Sequence, residues 1–196
     1  MRVATILPAL LLLTAPAAAR AQSADHRFDA SIGVGYAKTW DDEESMGNGA
    51  SVSGDAIFRV TPRLGLGVAV ERVSHTRDIG GGAMTFEGRS MLASARAQFR
   101  FGAGAVQPIV HAGFGVLDYS GKTTSAASNG LPAFTLPIEG SHRGLAPVAS
   151  GGAALDFFIA PRVSVRPGLT VHMTRTDDGS LPWMIWRSGV SMALHW

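Results

Sequence analysis

Apolar residues alternate with small or polar ones at a period of two along most of this 196-residue chain, and the alternation recurs in eight runs. The first, RFDASIGVGYA, sets Phe28, Ala30, Ile32, Val34 and Tyr36 against Asp29, Ser31, Gly33 and Gly35. In the third, Leu64, Leu66, Val68 and Val70 oppose Gly65, Gly67, Ala69 and Glu71. The last, SGVSMALHW with Trp186 before it, places Val190, Met192, Leu194 and Trp196 on one face and Arg187, Ser191 and His195 on the other. Period two marks a strand with two unlike faces. No sustained 3.6-residue period competes with it, and the 24 glycines lie in segments where each costs a helix about 1 kcal/mol relative to alanine.

The connections between runs alternate in length. TPR, GAGA and IAPR are short; KTWDDEESMGNG, SHTRDIGGGAM, the stretch 118–144 and TRTDDGSLP are long. Outer-membrane barrels have an even number of antiparallel strands, short periplasmic turns and long extracellular loops. The pattern therefore predicts an all-β fold: an eight-stranded antiparallel up-and-down transmembrane β-barrel, with strands of about ten residues and both termini periplasmic. Aromatic residues are expected in two girdles: Phe58, Phe99, Phe101, Phe157 and Trp196 near the short turns, and Tyr36, Trp40, Phe86, Tyr119, Trp183 and Trp186 near the long loops.

The two faces decide which side meets lipid. One is almost uniformly Val, Leu, Ile, Ala and Phe. The other carries Asp55, Arg59, Glu71, Arg96, Arg100, His111, Asp156, Arg166, His172 and Arg187 among small residues. A soluble barrel or lipocalin would turn the charged face outward to water. Against that arrangement stand Gly33, Gly65, Gly67, Gly113, Gly115 and Gly152, which suit a crowded lumen and would only weaken solvated strands. The charged residues are thus expected inside, paired with one another because unpaired charges there cost several kcal/mol. Such a lumen is plugged, and His111 and His172 fit it as hydrogen-bonded fillers in preference to metal ligands.

Composition adds an address. MRVATILPALLLLTAPAAARAQSA has an arginine near its start, an apolar stretch and small residues at Ala19 and Ala21, the layout of a secretory signal peptide. Residues 1–21 are expected to be removed and 22–196 to form the barrel. An uncleaved N-terminal anchor is disfavoured by Pro8 and Pro16 in a stretch short for a span. Cleavage takes away two of the 17 basic residues and leaves 15 against 15 acidic ones, so no nucleic-acid partner is expected. With no cysteine, disulfides and thiolate metal sites are ruled out. Closure of the sheet must hold the protein together instead.

Three segments carry a family likeness: VQPIVHAGFGVLDY, GGAALDFFIAPRVSVRPGL and the terminal SGVSMALHW. With them the chain resembles the outer-membrane β-barrel proteins of the OmpA-like transmembrane domain and opacity-protein type. The likeness runs over about Arg27 to Trp196. It implies contact with outer-membrane lipid and lipopolysaccharide, a monomer, and handling by the barrel-assembly machinery, which would read Val190, Met192, Leu194 and Trp196 as a C-terminal signal. Phenylalanine is the commoner final residue, so Trp196 departs mildly from the pattern.

Motifs for chemistry are weak. Glycine pairs such as Gly33 and Gly35 lack the third glycine and the helix of a nucleotide loop. Some eight-stranded barrels modify lipid A, and Ser74-His75 and Ser141-His142 lie near Glu71, Asp78 and Glu139. However, the His-x-Ser-Asn arrangement of the deacylases is absent, and adjacent side chains on a strand point to opposite faces. Asp41 to Glu44 and Asp177-Asp178 supply oxygen-rich loops that can hold calcium, although solvated acidic loops explain them as well. The expectation is no enzyme and no cofactor, but a structural or surface-interaction barrel; a narrow channel or carrier for a small or hydrophobic solute is the alternative, and a lipid A enzyme a more distant one. If the terminus is the assembly signal, Trp196→Ser or a one-residue extension will lower the outer-membrane yield of folded barrel, read as the fraction that migrates faster without boiling; normal yield would mean the terminus is not read.

Overall fold

A computed structural model describes residues 26–40, 45–79, 84–125, 140–174 and 184–196. Eight strands follow in chain order: β1 Phe28–Trp40, β2 Ser45–Arg59, β3 Leu64–Ile79, β4 Met84–Arg100, β5 Val106–Ser125, β6 Gly140–Ala160, β7 Val163–Thr174 and β8 Met184–His195. Each pairs antiparallel with the next, and β1 pairs with β8, so the sheet is a closed up-and-down barrel. The closing seam runs unbroken from Asp29 opposite His195 to Trp40 opposite Met184. Beyond it the backbone amides of Phe28 and Trp196 exchange bonds of 2.9 and 3.0 Å with each other's carbonyls.

The outward face is the apolar one. Ile32, Val52, Val68, Phe114, Leu145, Val190 and Met192 are all exposed. On β5 the apolar outward stretch runs from Val106 to Val116 and then gives way to Asp118, Ser120, Lys122 and Thr124. This is the length of strand that crosses a bilayer at a tilt, about 9–11 residues. Yet β5 has 20 residues and β6 has 21, and their pairing continues to Thr123 opposite Gly140. The expected strands of about ten residues are therefore too short, and both ends of the expected loop 118–144, up to Ser125 and from Gly140, are strand. The reason is physical: a change from apolar to polar side chains reports where the sheet leaves lipid, whereas backbone pairing persists for as long as two strands stay in register.

At the short-turn end, each connection has its own chemistry. Between β2 and β3 the Thr61 hydroxyl accepts from the amides of Arg63 and Leu64, at 3.3 and 2.9 Å, with Pro62 inside the turn. Gly102, at φ +79°, turns β4 towards β5 in a conformation that a side chain rarely adopts. Only Pro161 and Arg162 separate β6 from β7.

Aromatic placement follows the expectation at this end, where Phe58, Phe99, Phe101, Phe157 and Trp196 all lie outward and Trp196 packs on Phe28 with ring centroids 5.0 Å apart. At the long-loop end it holds only for part of the circumference. Trp186 and Tyr36 are exposed, and Lys38 sits over the Trp40 ring at 4.0 Å. Tyr119 and Phe86, expected in the girdle, point inward: Tyr119 is 1 % exposed and Phe86 packs against the same interior cluster. Both lie on the inward parity of strands that have continued past the apolar band. Trp183 lies outside the described residues, as does the signal segment.

Glycine lets the narrow interior close. A Cβ on Gly115 would collide with backbone atoms of Ala93 and Ser94 on the neighbouring strand. Gly115→Leu is expected to abolish the faster-migrating unboiled form, while Ala112→Leu on the exposed face of the same strand leaves it intact.

Candidate functional site: the sealed lumen

All ten lumen residues expected from the sequence face inward, and their side chains stack in tiers along the barrel axis. Nearest the short turns, Arg100 bridges two buried carboxylates, reaching Asp29 at 3.1 Å and Asp156 at 2.8 Å. Arg59 adds a second guanidinium to Asp29 at 2.8 Å, and Arg166 joins Asp156 at 2.6 Å. One level further in, Asp55 lies 3.3 Å from Arg96 and 3.7 Å from Arg166. Above these, Glu71 meets His172 at 3.4 Å and Arg187 at 3.6 Å, while Arg187 also donates to Ser51 and Ser53. His111 lies 3.3 Å from the Thr170 hydroxyl. Five guanidiniums thus interleave with four carboxylates contributed by β1, β2, β3, β4, β6, β7 and β8.

Two central residues of the lowest tier were missed by sequence reasoning. Asp29 and His195 lie on the polar parity of the first and last runs, but their importance comes from a register that joins the two ends of the chain. The His195 Nδ1 lies 2.6 Å from Asp29 Oδ1, and its Nε2 lies 2.9 Å from the Ser164 hydroxyl. That sequence of contacts, Ser to His to Asp, is the connectivity of a nucleophilic triad. Its surroundings are those of a structural clamp. Ser164, His195 and Asp29 are essentially unexposed. Ser164 has one hydroxyl proton to give, and Asp156 stands 3.0 Å away in competition with His195. Asp29 is already held by two arginines, and Phe158 covers the imidazole at a centroid distance of 4.7 Å. A substrate carbonyl has no place to sit beside the Ser164 oxygen.

Between the middle and upper tiers is a cavity of about 40 Å³ lined by Asp55, Glu71, Arg96, His111, Arg166 and Arg187. This is room for one or two waters, and its rim carries buried oxygens of Glu71 and Asp55 that lack hydrogen-bond partners among the described residues. Above it the interior becomes apolar: Ala37, Val73, Leu92, Leu117, Tyr119, Ala146, Val148 and Ile185 form one buried cluster. Here the inward face is a hydrophobic core after all, contrary to the expectation of a wholly polar lumen. The small-residue and charged half spans the apolar band; the plug sits where the strands rise beyond it.

The remaining candidates do not join the lumen network. Ser74 is exposed and His75 is buried against Tyr119 and Phe86, with ring centroids 5.9 and 6.0 Å away, so this pair does not converge. Asp41 to Glu44, Glu139 and Asp177-Asp178 lie outside the described residues, and nothing is described of the side chains of Ser141 and His142.

The family model for the outer membrane protein beta-barrel domain matches residues 5–180. This chain belongs to that family. Among solved structures it is similar in fold to Neisserial surface protein A, at 13 % identity and a TM-score of 0.61, over 86 % of this chain and 97 % of that one. A major outer membrane protein from Thermus thermophilus matches at 13 % identity and a TM-score of 0.57, over 85 % and 99 %. Ail, the attachment invasion locus protein of Yersinia pestis, matches at 14 % identity and a TM-score of 0.53, over 86 % and 99 %. No curated protein matches the chain. The protein is thus an eight-stranded barrel of the outer membrane protein beta-barrel family.

The tiers predict a ranking of mutational costs. Asp29→Asn, which leaves Arg59 and Arg100 facing a neutral group, is expected to destabilise by about 3–5 kcal/mol. Asp118→Asn, which breaks an exposed pair with Arg143, is expected to cost no more than about 1 kcal/mol. Equilibrium unfolding in urea from lipid vesicles measures both; equal midpoints would refute the clamp.

Proposed function

We propose that this protein is a non-conducting outer-membrane scaffold that acts through its long-loop end, with its short turns and both termini in the periplasm. The supporting observation is the double seal of the lumen. A solute entering along the axis would have to displace the apolar cluster around Leu92, Leu117 and Ile185 and then part a ladder of buried ion pairs. Removing a single partner from such a ladder strands a buried charge, so it does not open by side-chain rotation alone. The channel reading would need a continuous aqueous path, whereas the mid-lumen cavity holds only a water or two.

The ladder that rises beyond the apolar band supports an interaction role. The upper parts of β3 to β6 present paired, polar outer surfaces, which is a rigid base for loops that contact a partner. Proteins named for the cell surface and for attachment share this fold. The lipid A-enzyme reading gains nothing from Ser74-His75, whose side chains diverge.

Two measurements test the proposal. In a planar bilayer the barrel is expected to show conductance near baseline, unchanged by Leu117→Ala; stepwise channel openings would overturn the sealed scaffold. Because the chain has no cysteine, Thr124→Cys and Arg63→Cys each introduce a single thiol. Intact cells are expected to react with a membrane-impermeant maleimide at position 124 and not at 63, and the reverse labelling would invert the assigned orientation.

A further inference from the structure

Around the long-loop end, the outer surface just above the apolar band is not uniform. On one side the aromatic and apolar character continues upward: Lys38, Trp186 and Val171 form one cross-strand row of β1, β8 and β7, and Trp40, Met184 and Met173 form the next. On the other side the same transition is basic. The last apolar row there is Val70, Ala93, Val116 and Pro147, running across β3, β4, β5 and β6. Two residues further from the short turns the row is Arg72, Met91, Asp118 and Leu145; the next is Ser74, Arg89, Ser120 and Arg143.

These side chains point away from the barrel axis. Arg72, Ser74, Arg89, Ser120, Lys122 and Arg143 are exposed, and a shallow groove is lined by Ser74, Arg89, Ser120, Lys122 and Arg143, with Thr76 and Glu87 at its upper edge. Arg143 is shared with Asp118, at 3.2 Å, with both side chains largely in the open. Arg72 and Arg89 form no ion pair with any of the described residues. Three arginines therefore stand beside two carboxylates, Asp118 and Glu87, just above lipid-facing Val70 and Val116.

We infer that this groove, with the Arg72 row just beneath it, holds the phosphates of a glycolipid headgroup from the outer leaflet, with Arg89 and Arg143 in the groove and Arg72 below its lower edge as the phosphate ligands and the Ser74 and Ser120 hydroxyls as further donors. The inference rests on the proposed orientation, which puts the long-loop end in the outer leaflet. Height selects the ligand: a group at this level lies where acyl chains end and phosphates begin, so its apolar part meets Val70, Val116 and Leu145 while its charge meets the arginines. Chemistry selects it too. Planar guanidiniums bind phosphate oxygens in pairs, and arginine stems lie along apolar surface while their heads reach the interface. Among the described residues, the aromatic side of the barrel offers no comparable set of donors.

The test uses the folded, detergent-solubilised barrel and native mass spectrometry, with bisphosphorylated and dephosphorylated lipid A as probes. Wild-type protein is expected to retain the bisphosphorylated lipid at least tenfold better, and this comparison needs no variant. The combined variant Arg72→Ala, Arg89→Ala, Arg143→Ala is expected to lose that preference while keeping the faster unboiled migration. A control carrying Arg63→Ala and Arg162→Ala, at the opposite end, is expected to keep it. Equal retention of the two lipids, an unaffected triple variant, or full competition by millimolar inorganic phosphate alone would overturn the glycolipid site. Orientation is read separately by the labelling at positions 124 and 63, so a failure of the scaffold reading and a failure of the groove give different results.

Discussion

Pairing of β1 with β8 removes the last free sheet edge, and in hydrocarbon an edge cannot be left free, because each unpaired amide or carbonyl there costs several kcal/mol. Most of the remaining architecture follows from that closure. Eight strands make a barrel whose interior is just wide enough for side chains, so the inward positions must be small where strands come close, as at Gly115 and Gly67, and long only where a side chain can cross the lumen to a partner. The outward positions are free to be bulky and apolar. The two-residue alternation is the linear trace of this division between a crowded inside and a lipid outside.

Once arginines cross the lumen they create a second requirement, because each is withdrawn from water. The protein meets it by sharing. Arg100 serves Asp29 and Asp156, Arg166 serves Asp156 and Asp55, and Asp29 serves Arg59, Arg100 and His195. A chain of this kind ties β1, β2, β4, β6, β7 and β8 together through side chains, in addition to the ladder of backbone bonds. The seam is reinforced where it begins: Asp29 and His195 are opposite each other in register and are joined to each other directly. The clamp and the seam are one structure at the short-turn end.

Parity along each run was enough to place every predicted lumen residue on the inside and to separate it from lipid, since a strand in a closed barrel admits only two directions. What sequence periodicity could not supply was distance between runs. Asp29 looked like an ordinary polar-face residue because its partners, Arg100 and His195, lie 71 and 166 positions away. Nearness to a long loop suggests the outer girdle for Tyr119 and Phe86, but their parity alone points inward. The upper ends of β5 and β6 were invisible for another reason: residues such as Ser120, Gly121 and Lys122 carry turn-like polarity, yet they pair because the register set lower in the hairpin persists upward.

The two ends of the barrel consequently differ in kind. At the short-turn end the buried carboxylates of the lumen are committed to partners, from Asp29 to Asp156 with Ser164, and turns as short as Pro161-Arg162 add little surface. At the long-loop end the interior is filled with apolar side chains that make no demand on charge, and the outward arginines are left over. A barrel that spent Arg72 and Arg89 on internal pairs would have to turn them through the sheet, which the alternation forbids. Their freedom is therefore a product of the same parity that buries Glu71 and Val73 on either side of Arg72, and any ligand for those two cations must approach from the lipid side of the wall.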